Sequence, residues 1–213
     1  MSSRLFKFLG FMMLVVGGTA HAAGVAGTPH DLTMYWSTDE VFRACHTPHN
    51  AKVAVPLWNH AMSTANYGLY QSPTSNAIAD QPGPNSKLCL SCHDGTVGIS
   101  DFGGSWVGPG GITFGTGDRG YIGTALQNDH PVGIVYDTAL ATSDGSLADP
   151  MTTTVTLGSA KVRTGTIATT MLANNKVECT TCHDVHDIYT VGTRGLVTMS
   201  VQASALCLQC HKK

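Results

Sequence analysis

The sequence predicts a fold that is mostly irregular, with short helices and one small β-hairpin region. Gly, Pro, Asn and Ser recur throughout residues 23–100, which favours loops over regular elements. Gly and β-branched residues dominate residues 101–176, which favours short strands. The seven Cys and ten His of the chain lie almost entirely outside that second segment. Secondary structure is therefore sparse for 213 residues, and the core must be completed by something other than helices and sheets.

The first 22 residues are predicted to be a secretory signal peptide. Arg4 and Lys7 form a basic start, residues 9–18 are apolar, and Ala20-His21-Ala22 provides a small-residue cleavage site. An apolar run of about ten residues is too short for a membrane span, which needs about 20. We therefore expect cleavage after Ala22 and an exported protein, either periplasmic or extracellular at the cell surface. No transmembrane segment is expected in the mature chain.

Charged side chains are sparse in this chain. Only 12% of residues are Asp, Glu, Lys or Arg, against about 25% in an average domain. Without Arg4 and Lys7, the 12 basic residues fall to 10 against 14 acidic ones. A weakly acidic chain offers no electrostatic basis for binding nucleic acid. Low charge also weakens the repulsion between copies, which favours self-association.

Residues 101–176 contain no Cys and one His, and we predict that they form a β-rich insertion. Residues 153–157 have the pattern of a strand, Gly158-Ser159 that of a turn, and residues 160–163 that of a second strand. A small hairpin is therefore expected here.

The C-terminal segment, residues 177–213, returns to a pattern rich in Cys and His. A short helix is predicted over residues 201–208, where it would deliver Cys207 and Cys210. The mature chain, residues 23–213, is expected to form a single domain.

Three Cys-x-x-Cys-His motifs indicate the chemistry of the chain. They place thiols at Cys89 and Cys92, at Cys179 and Cys182, and at Cys207 and Cys210, followed by His93, His183 and His211. In such a motif two thiols add to the vinyl groups of one porphyrin, and the adjacent imidazole becomes the proximal iron ligand. Zinc sites or local disulfides would explain the Cys pairs but not the His after each of them. The motifs predict a multihaem cytochrome c whose core is formed by stacked haems.

The segment Phe42-Arg43-Ala44-Cys45-His46 looks like a fourth motif without its first Cys. Cys45 can still form one thioether bond, and His46 can still ligate iron as a proximal ligand. An attachment of this kind resembles the single-thioether mitochondrial cytochromes c of euglenozoans. The simpler alternative is a free Cys beside an unrelated His, but residues 45–49 repeat the Cys-His-x-x-His spacing of residues 182–186. We therefore expect four c-type haems, the one at Cys45 held by a single thioether.

Five further histidines are candidates for the distal ligand of a haem iron: His30, His49, His60, His130 and His186. Four six-coordinate irons need four distal ligands, so one candidate is surplus. Methionine is the competing ligand and would raise the reduction potential. Five methionines are available for this role: Met34, Met62, Met151, Met171 and Met199. The ample supply of His favours bis-His ligation. His49 and His186 follow a proximal His by three residues, so each is expected to serve a neighbouring haem.

The order of local signatures resembles that of the small tetrahaem cytochromes of metal-reducing bacteria, and among them the OmcE-type extracellular nanowire subunits. The resemblance covers nearly all of the mature chain and rests on residues 29–32, 45–51, 56–60, 88–96, 129–133 and 182–186. It implies bis-His haems stacked in a continuous chain, polymerisation into filaments, and a distal His that reaches a haem of the adjoining subunit. In that family, segments matching those of His30, His49, His130 and His186 supply distal ligands, and His60 lies in a matching segment too. Phe42 departs from the usual Cys.

The chain is therefore predicted to transfer electrons rather than to act as an enzyme. Bis-His ligation closes both axial positions of an iron, which suits electron transfer better than substrate binding. We expect a filament subunit, a homopolymer that passes respiratory electrons to other redox proteins or to external acceptors such as metal oxide. A monomeric periplasmic electron shuttle is an open alternative. A multihaem reductase is another, and it would need one five-coordinate haem.

Overall fold

The computed structural model of the chain describes residues 24–36, 39–49, 51, 57–103, 112–159, 161–190 and 195–212. The signal peptide predicted over residues 1–22 lies outside these ranges. Regular elements are short and are separated by long irregular segments. In the part of the chain that is described, no helix has the length and apolar character needed to cross a membrane.

Four short α-helices occur in the described residues: α1 (Thr33–Trp36), α2 (Pro84–His93), α3 (Thr138–Asp144) and α4 (Ile167–Thr170). The longest, α2, lies in a region that was expected to be irregular. Pro84 occupies its first turn, where a fixed φ favours helix and no amide hydrogen is needed. The first complete Cys-x-x-Cys-His motif, residues 89–93, therefore lies on a helix that was not predicted.

Two small antiparallel sheets accompany these helices. One pairs β1 (Ile134–Val135) with β4 (Lys176–Val177), and the other pairs β2 (Thr154–Leu157) with β3 (Arg163–Thr166). The second is the hairpin expected at residues 153–163, but its second strand begins three residues later than predicted. Gly158 explains the wider loop, since its φ is +88° and the Lys161 carbonyl oxygen lies 2.0 Å from where a Cβ would be.

The segment 101–176 is not the β-rich insertion that was predicted. In its described residues α3 and α4 contribute as much regular structure as the strands do. Asp137 starts α3 by accepting a hydrogen bond from the Leu140 amide at 2.8 Å, and Gly145 ends it with a φ of 74°. The sequence signals for α3 are thus its Asp and Gly caps. They were overlooked because the segment is rich in β-branched residues.

The short helix predicted over residues 201–208 is also wrong. Two 3₁₀ turns replace it, Gln202–Ser204 and Cys207–Gln209. Ala203 and Ser204 have φ values of 49° and 59°, in the left-handed region that ends a helix. The interruption lets the Leu206 amide donate to the Ser200 carbonyl oxygen at 3.0 Å, and Leu206 is buried.

Two apolar clusters form the protein core. The larger one comprises Tyr136, Ala141, Ala148, Val155, Leu157, Ile167, Met171 and Leu206. Two cysteines of the Cys-x-x-Cys-His motifs, Cys182 and Cys210, pack against it. The smaller cluster contains Tyr67, Leu90 and Leu126, and thereby anchors one face of α2. The hairpin region therefore supports the C-terminal motifs directly.

Candidate haem-binding sites

The four motifs are numbered in chain order as the first site (residues 42–46), the second (89–93), the third (179–183) and the fourth (207–211). At three of them the amide of the motif His donates to the carbonyl oxygen four residues earlier. The distances are 2.7 Å from His46 to Phe42, 3.1 Å from His183 to Cys179, and 3.0 Å from His211 to Cys207. The second site has the same spacing within α2. Each motif therefore forms one helical turn, with or without its first thiol.

A second backbone contact recurs at the same three sites. Each motif His forms an antiparallel bridge with an apolar residue of a distant segment: His46 with Trp58, His183 with Val197, and His211 with Leu147. In every bridge the carbonyl oxygen of the second Cys accepts a hydrogen bond of 2.8–2.9 Å, and the amide after the His donates one of 2.7–2.9 Å. The incomplete first motif thus has the backbone arrangement of two complete ones.

Three of the four candidate proximal imidazoles each have a candidate distal imidazole as a neighbour. The ring centroids are 5.8 Å apart for His93 and His30, 6.2 Å for His46 and His186, and 6.3 Å for His211 and His130. Imidazole nitrogens bind a metal ion at about 2 Å, so two rings on opposite sides of one ion have centres about 6 Å apart. The three pairs therefore match the separation of axial ligands.

Backbone carbonyls orient two of the proximal rings. The Nδ1 atom of His93 donates to the Gly120 carbonyl oxygen at 2.7 Å, and that of His183 donates to the Gly195 carbonyl oxygen at 2.5 Å. A carbonyl accepts only, so Nδ1 carries the proton and the Nε2 lone pair is left for a metal. Phe114 also stacks on the His93 ring, with centroids 5.2 Å apart.

His30 is held in its neutral form. Burial, followed by the neighbouring His93 and His183, lowers its pKa to about 4. Its Nδ1 atom is buried without a hydrogen-bond partner, and the same holds for Nε1 of Trp58 beside the first site. Buried polar atoms are normally satisfied, so both orphaned atoms point to a group that joins the chain at these two sites. A neutral imidazole is the form that ligates iron.

His60 differs from the other four distal candidates. It is 2% exposed, and both of its ring nitrogens lie 2.8 Å from backbone carbonyl oxygens, those of Ala61 and Gly98. Its Nε2 atom is also 3.5 Å from the Cys92 sulfur. Both nitrogens of this ring are therefore engaged by the chain itself.

The third site is the one without a facing imidazole. None of the five distal candidates, all of which lie in the described residues, faces His183 at a ring separation like those above. His183 and His49 are both exposed. The His49 amide is fixed by the Thr47 hydroxyl at 3.4 Å, as the His186 amide is fixed by the Asp184 carboxylate at 3.1 Å.

The thiols of successive sites approach one another. The hydrogen bond between Cys89 and Cys179 raises the pKa of Cys89 well above its usual value and lowers that of Cys179 to about 7. Burial, followed by the nearby Cys45, raises the pKa of Cys92 to about 12. All seven cysteines are described, and none forms a disulfide. The first site is therefore adjacent to the second, and the second to the third.

The third and fourth sites are likewise adjacent. Burial, followed by the nearby Cys207, raises the pKa of Cys182. Burial, followed by Cys182, raises the pKa of Cys210 to about 11. The four sites thus follow each other in space in the order in which they occur in the sequence.

A buried carboxylate follows the proximal ligand of the second site. Asp94 is 2% exposed and accepts hydrogen bonds from Ser63 (2.5 Å), Tyr67 (2.6 Å), and the amide and hydroxyl of Thr96 (2.7 Å each). Burial by itself would raise the pKa of Asp94, but these hydrogen bonds outweigh it and lower the pKa below its usual value. Asp94 therefore stays ionised and fixes the end of α2.

An apolar recess adjoins the first site. It has a volume of about 220 Å³ and is lined by Gly24, Val25, Phe42, His186 and Ile188. Phe42 lies at the edge of this recess and is 60% exposed. The residue that replaces the first Cys therefore faces the same recess as the imidazole opposite His46.

These features fit the binding of haem. All four motifs form a turn that presents Cys and His, three have a second imidazole nearby, two have an orphaned polar atom, and the first adjoins an apolar recess. Within the described residues no group of three or more His, Cys, Asp or Glu side chains is arranged to hold a metal ion. A haem iron takes only two ligands from the protein, so facing pairs are the relevant arrangement.

Comparison with known proteins gives no assignment. No protein-family model matches the chain, and no curated protein matches it significantly.

Sequence reasoning missed the polar residues behind the motifs. Asp94 was not singled out, although it directly follows His93, as Asp184 follows His183. Glu178 was also missed, although it directly precedes Cys179 and is one of only two glutamates in the chain. In a chain with so few charges, a carboxylate beside a motif was the available signal.

Proposed function

We propose that the chain is a tetrahaem c-type cytochrome that transfers electrons along a row of bis-His haems. The observation that carries this proposal is the facing of three proximal imidazoles by distal candidates, at centroid separations of 5.8–6.3 Å. A bound haem supplies one-electron chemistry between the ferric and ferrous states of its iron. The chain supplies the thiols and the axial imidazoles, and it orients those imidazoles through backbone carbonyls.

The ligand pairs follow from the same distances. His30 serves the haem of His93, His186 that of His46, and His130 that of His211. His60 is the surplus histidine, because backbone carbonyls engage both of its nitrogens. His49 is then left for the haem of His183, and the resemblance to nanowire cytochromes implies that it comes from an adjoining copy.

The path of the electrons follows the order of the sites. Thiols of successive motifs lie close enough to hydrogen-bond or to shift one another's pKa, so the attached edges of successive haems are neighbours. Phe42 of the first site and Cys207 of the fourth are exposed, and a row that ends at the surface suits a subunit that hands electrons to the next copy. The filament carries respiratory electrons to an external acceptor.

One experiment tests the cofactor content: the intact mass of the purified mature protein under denaturing conditions. Four covalently added haems are expected, and the mature chain is expected to start at Ala23. Three added haems would leave Cys45 as an ordinary thiol. A mass equal to that of the bare chain would remove the cytochrome proposal altogether.

The assembly is tested separately by size-exclusion chromatography and negative-stain electron microscopy of the native protein. Filaments are expected. A preparation that is strictly monomeric at every concentration favours the periplasmic electron shuttle instead.

A multihaem reductase is the second candidate, and it is favoured by one observation: none of the five distal candidates faces His183 in the described chain. Carbon monoxide added to the reduced protein distinguishes the two functions. A saturated bis-His cytochrome leaves the spectrum unchanged, whereas a reductase binds the gas at one haem. Filaments with an unchanged spectrum are the result expected if an adjoining His49 completes the third site.

A further inference from the structure

We infer that Glu178 is a positioning residue that fixes the contact between the second and third haem sites. The inference rests on the proposed cytochrome function and deepens it, because it concerns what fixes the distance between the second and third haems. Within the described residues, no hydrogen bond joins the Glu178 side chain to a candidate ligand imidazole. Its role follows from the two segments that its carboxylate joins, the start of α2 and the residues before the third motif.

The Glu178 carboxylate is buried where charge is rare. The residue is 4% exposed, and burying a carboxylate is costly unless donors compensate for the lost water. The donors come from the start of α2: the Gly83 amide at 3.1 Å from Oε1, and the Ser86 hydroxyl in a short hydrogen bond to Oε2. The first amides of a helix have no partner within the helix, and its dipole favours a negative charge there.

Gly83 shows how close this approach is. A Cβ added at Gly83 would lie 2.1 Å from Oε1 of Glu178, closer than any contact that real Cβ atoms make. Only glycine at this position lets the carboxylate reach the helix start. The carboxylate and the glycine therefore define one contact between α2 and the segment before the third motif.

Ser86 extends this contact to the haem-attachment residues. Its fully buried hydroxyl donates to Glu178 and accepts from the Cys179 amide at 2.9 Å. Cys89 follows Ser86 by three residues on α2, which places both on one face of the helix. The Ser86 contact therefore sets the face of α2 that carries Cys89 against the start of the third motif.

The consequence concerns the gap between two porphyrins. Cys89 attaches the second haem and Cys179 the third, so the separation of these sulfurs limits how far apart the two haem edges can move. Electron tunnelling slows steeply as that gap widens. The hydrogen bonds from Glu178 through Ser86 to Cys179 therefore keep the second and third haems close together.

The test compares three variants of the intact holoprotein: Glu178→Ala, Glu178→Gln and Glu40→Gln. Glu40 is the matched control, since it is the only other glutamate and lies just before the first site, but it is exposed and forms an ion pair with Arg43 at 3.9 Å. The readouts are the intact mass, the Soret circular dichroism that reports coupling between neighbouring haems, and the rate of intramolecular electron equilibration after rapid photoreduction.

Glu178→Ala is expected to keep four low-spin haems, to lose part of the Soret exciton signal and to slow electron equilibration severalfold. Glu178→Gln keeps an acceptor for Ser86 and is expected to lie between this variant and the wild type, while Glu40→Gln matches the wild type. Four haems with unchanged Soret dichroism and an unchanged rate in Glu178→Ala would overturn the inference.

If Glu178→Ala yields no holoprotein, Ser86→Ala removes the same link with a smaller cavity. It is expected to weaken the Soret signal in the same direction, and an unchanged signal there would overturn the inference as well. A wild-type protein without haem at Cys89 or Cys179 would instead contradict the proposed function, so the two failures are distinguishable.

Discussion

At the first site, Phe42 stands where the other three sites have a thiol. It occupies the first position of a turn whose backbone matches those of the third and fourth sites. Its ring lines the apolar recess beside His186. The haem proposed there would be attached through Cys45 alone, with one vinyl group left unmodified.

Phe42→Cys is expected to restore the second thioether at the first site, because the turn already has the required backbone. The pyridine haemochrome spectrum of the denatured protein is the measurement. Its α-band should shift to shorter wavelength as the last vinyl group is consumed, while the number of attached haems stays at four. Phe42→Ser is the control, and it should leave the band where it is in the wild type.

A distal ligand and a buried structural histidine respond differently to removal. His130→Ala is expected to convert one haem from low to high spin, because His130 is the imidazole that faces His211. His60→Gln is expected to leave every haem low-spin, because both nitrogens of His60 face backbone carbonyls. Electron paramagnetic resonance of the oxidised protein separates the two outcomes. A high-spin signal in His60→Gln would instead make His60 a ligand.

Asp94→Asn is expected to destabilise the protein by about 2 kcal/mol at pH 7, because the ionised carboxylate accepts four hydrogen bonds. The pKa of Asp94 in the folded state lies below its usual value of 3.8. The stabilisation is therefore fully present above that usual value and is lost as the pH falls through the folded-state pKa.

Guanidinium denaturation of both proteins at neutral and acidic pH measures this difference. The two curves should converge in acid, where Asp94 in the wild type is protonated. Asp129→Asn is the matched control: Asp129 also adjoins a ligand candidate, but it is exposed. An equal loss of stability in that variant would rule out the hydrogen bonds as the cause.

At the scale of elements, α2 is held by contacts at both ends. Glu178 and Gly83 meet at its start, and Asp94 follows its last residue. Gly83→Ala is expected to cost about 2 kcal/mol, because the new Cβ would overlap the Glu178 carboxylate in a packed region. Thermal unfolding of the holoprotein measures the loss. Gly115→Ala is the control for the added methyl group, since its φ is not positive and the nearest atom to the new Cβ would be an Asp118 carboxylate oxygen at 3.8 Å.

Sequence patterns predicted some elements and missed others for identifiable reasons. The hairpin of β2 and β3 follows from β-branched residues that alternate between buried and exposed positions. The break at Ala203 and Ser204 could not be foreseen, because Ala203 is a strong helix former, whereas the break accompanies the burial of the more distant Leu206. For α2, the Gly83-Pro84 start signal was present but lay within a segment rich in loop-forming residues.

At the scale of the whole molecule, the sequence identifies candidate attachment residues but not which histidines lie beside them. A Cys-x-x-Cys-His motif is local, so its chemistry can be predicted from five consecutive residues. The pairing of His30 with His93, or of His130 with His211, joins residues more than 60 positions apart. Such pairings depend on how long irregular segments are folded, which no periodicity reveals.

A Cys-x-x-Cys-His motif normally combines covalent attachment with the placement of an imidazole. The turn and bridge shared by three of the sites make the placement independent of the attachment. Main-chain hydrogen bonds to a distant segment shape the turn, so the position of the imidazole does not depend on the first thiol. We therefore expect a mutation that removes one covalent link to be tolerated, and a mutation that displaces the distant segment not to be. Under the proposed function, heritable variation could remove part of the covalent attachment of a haem and leave its place in the electron path unchanged.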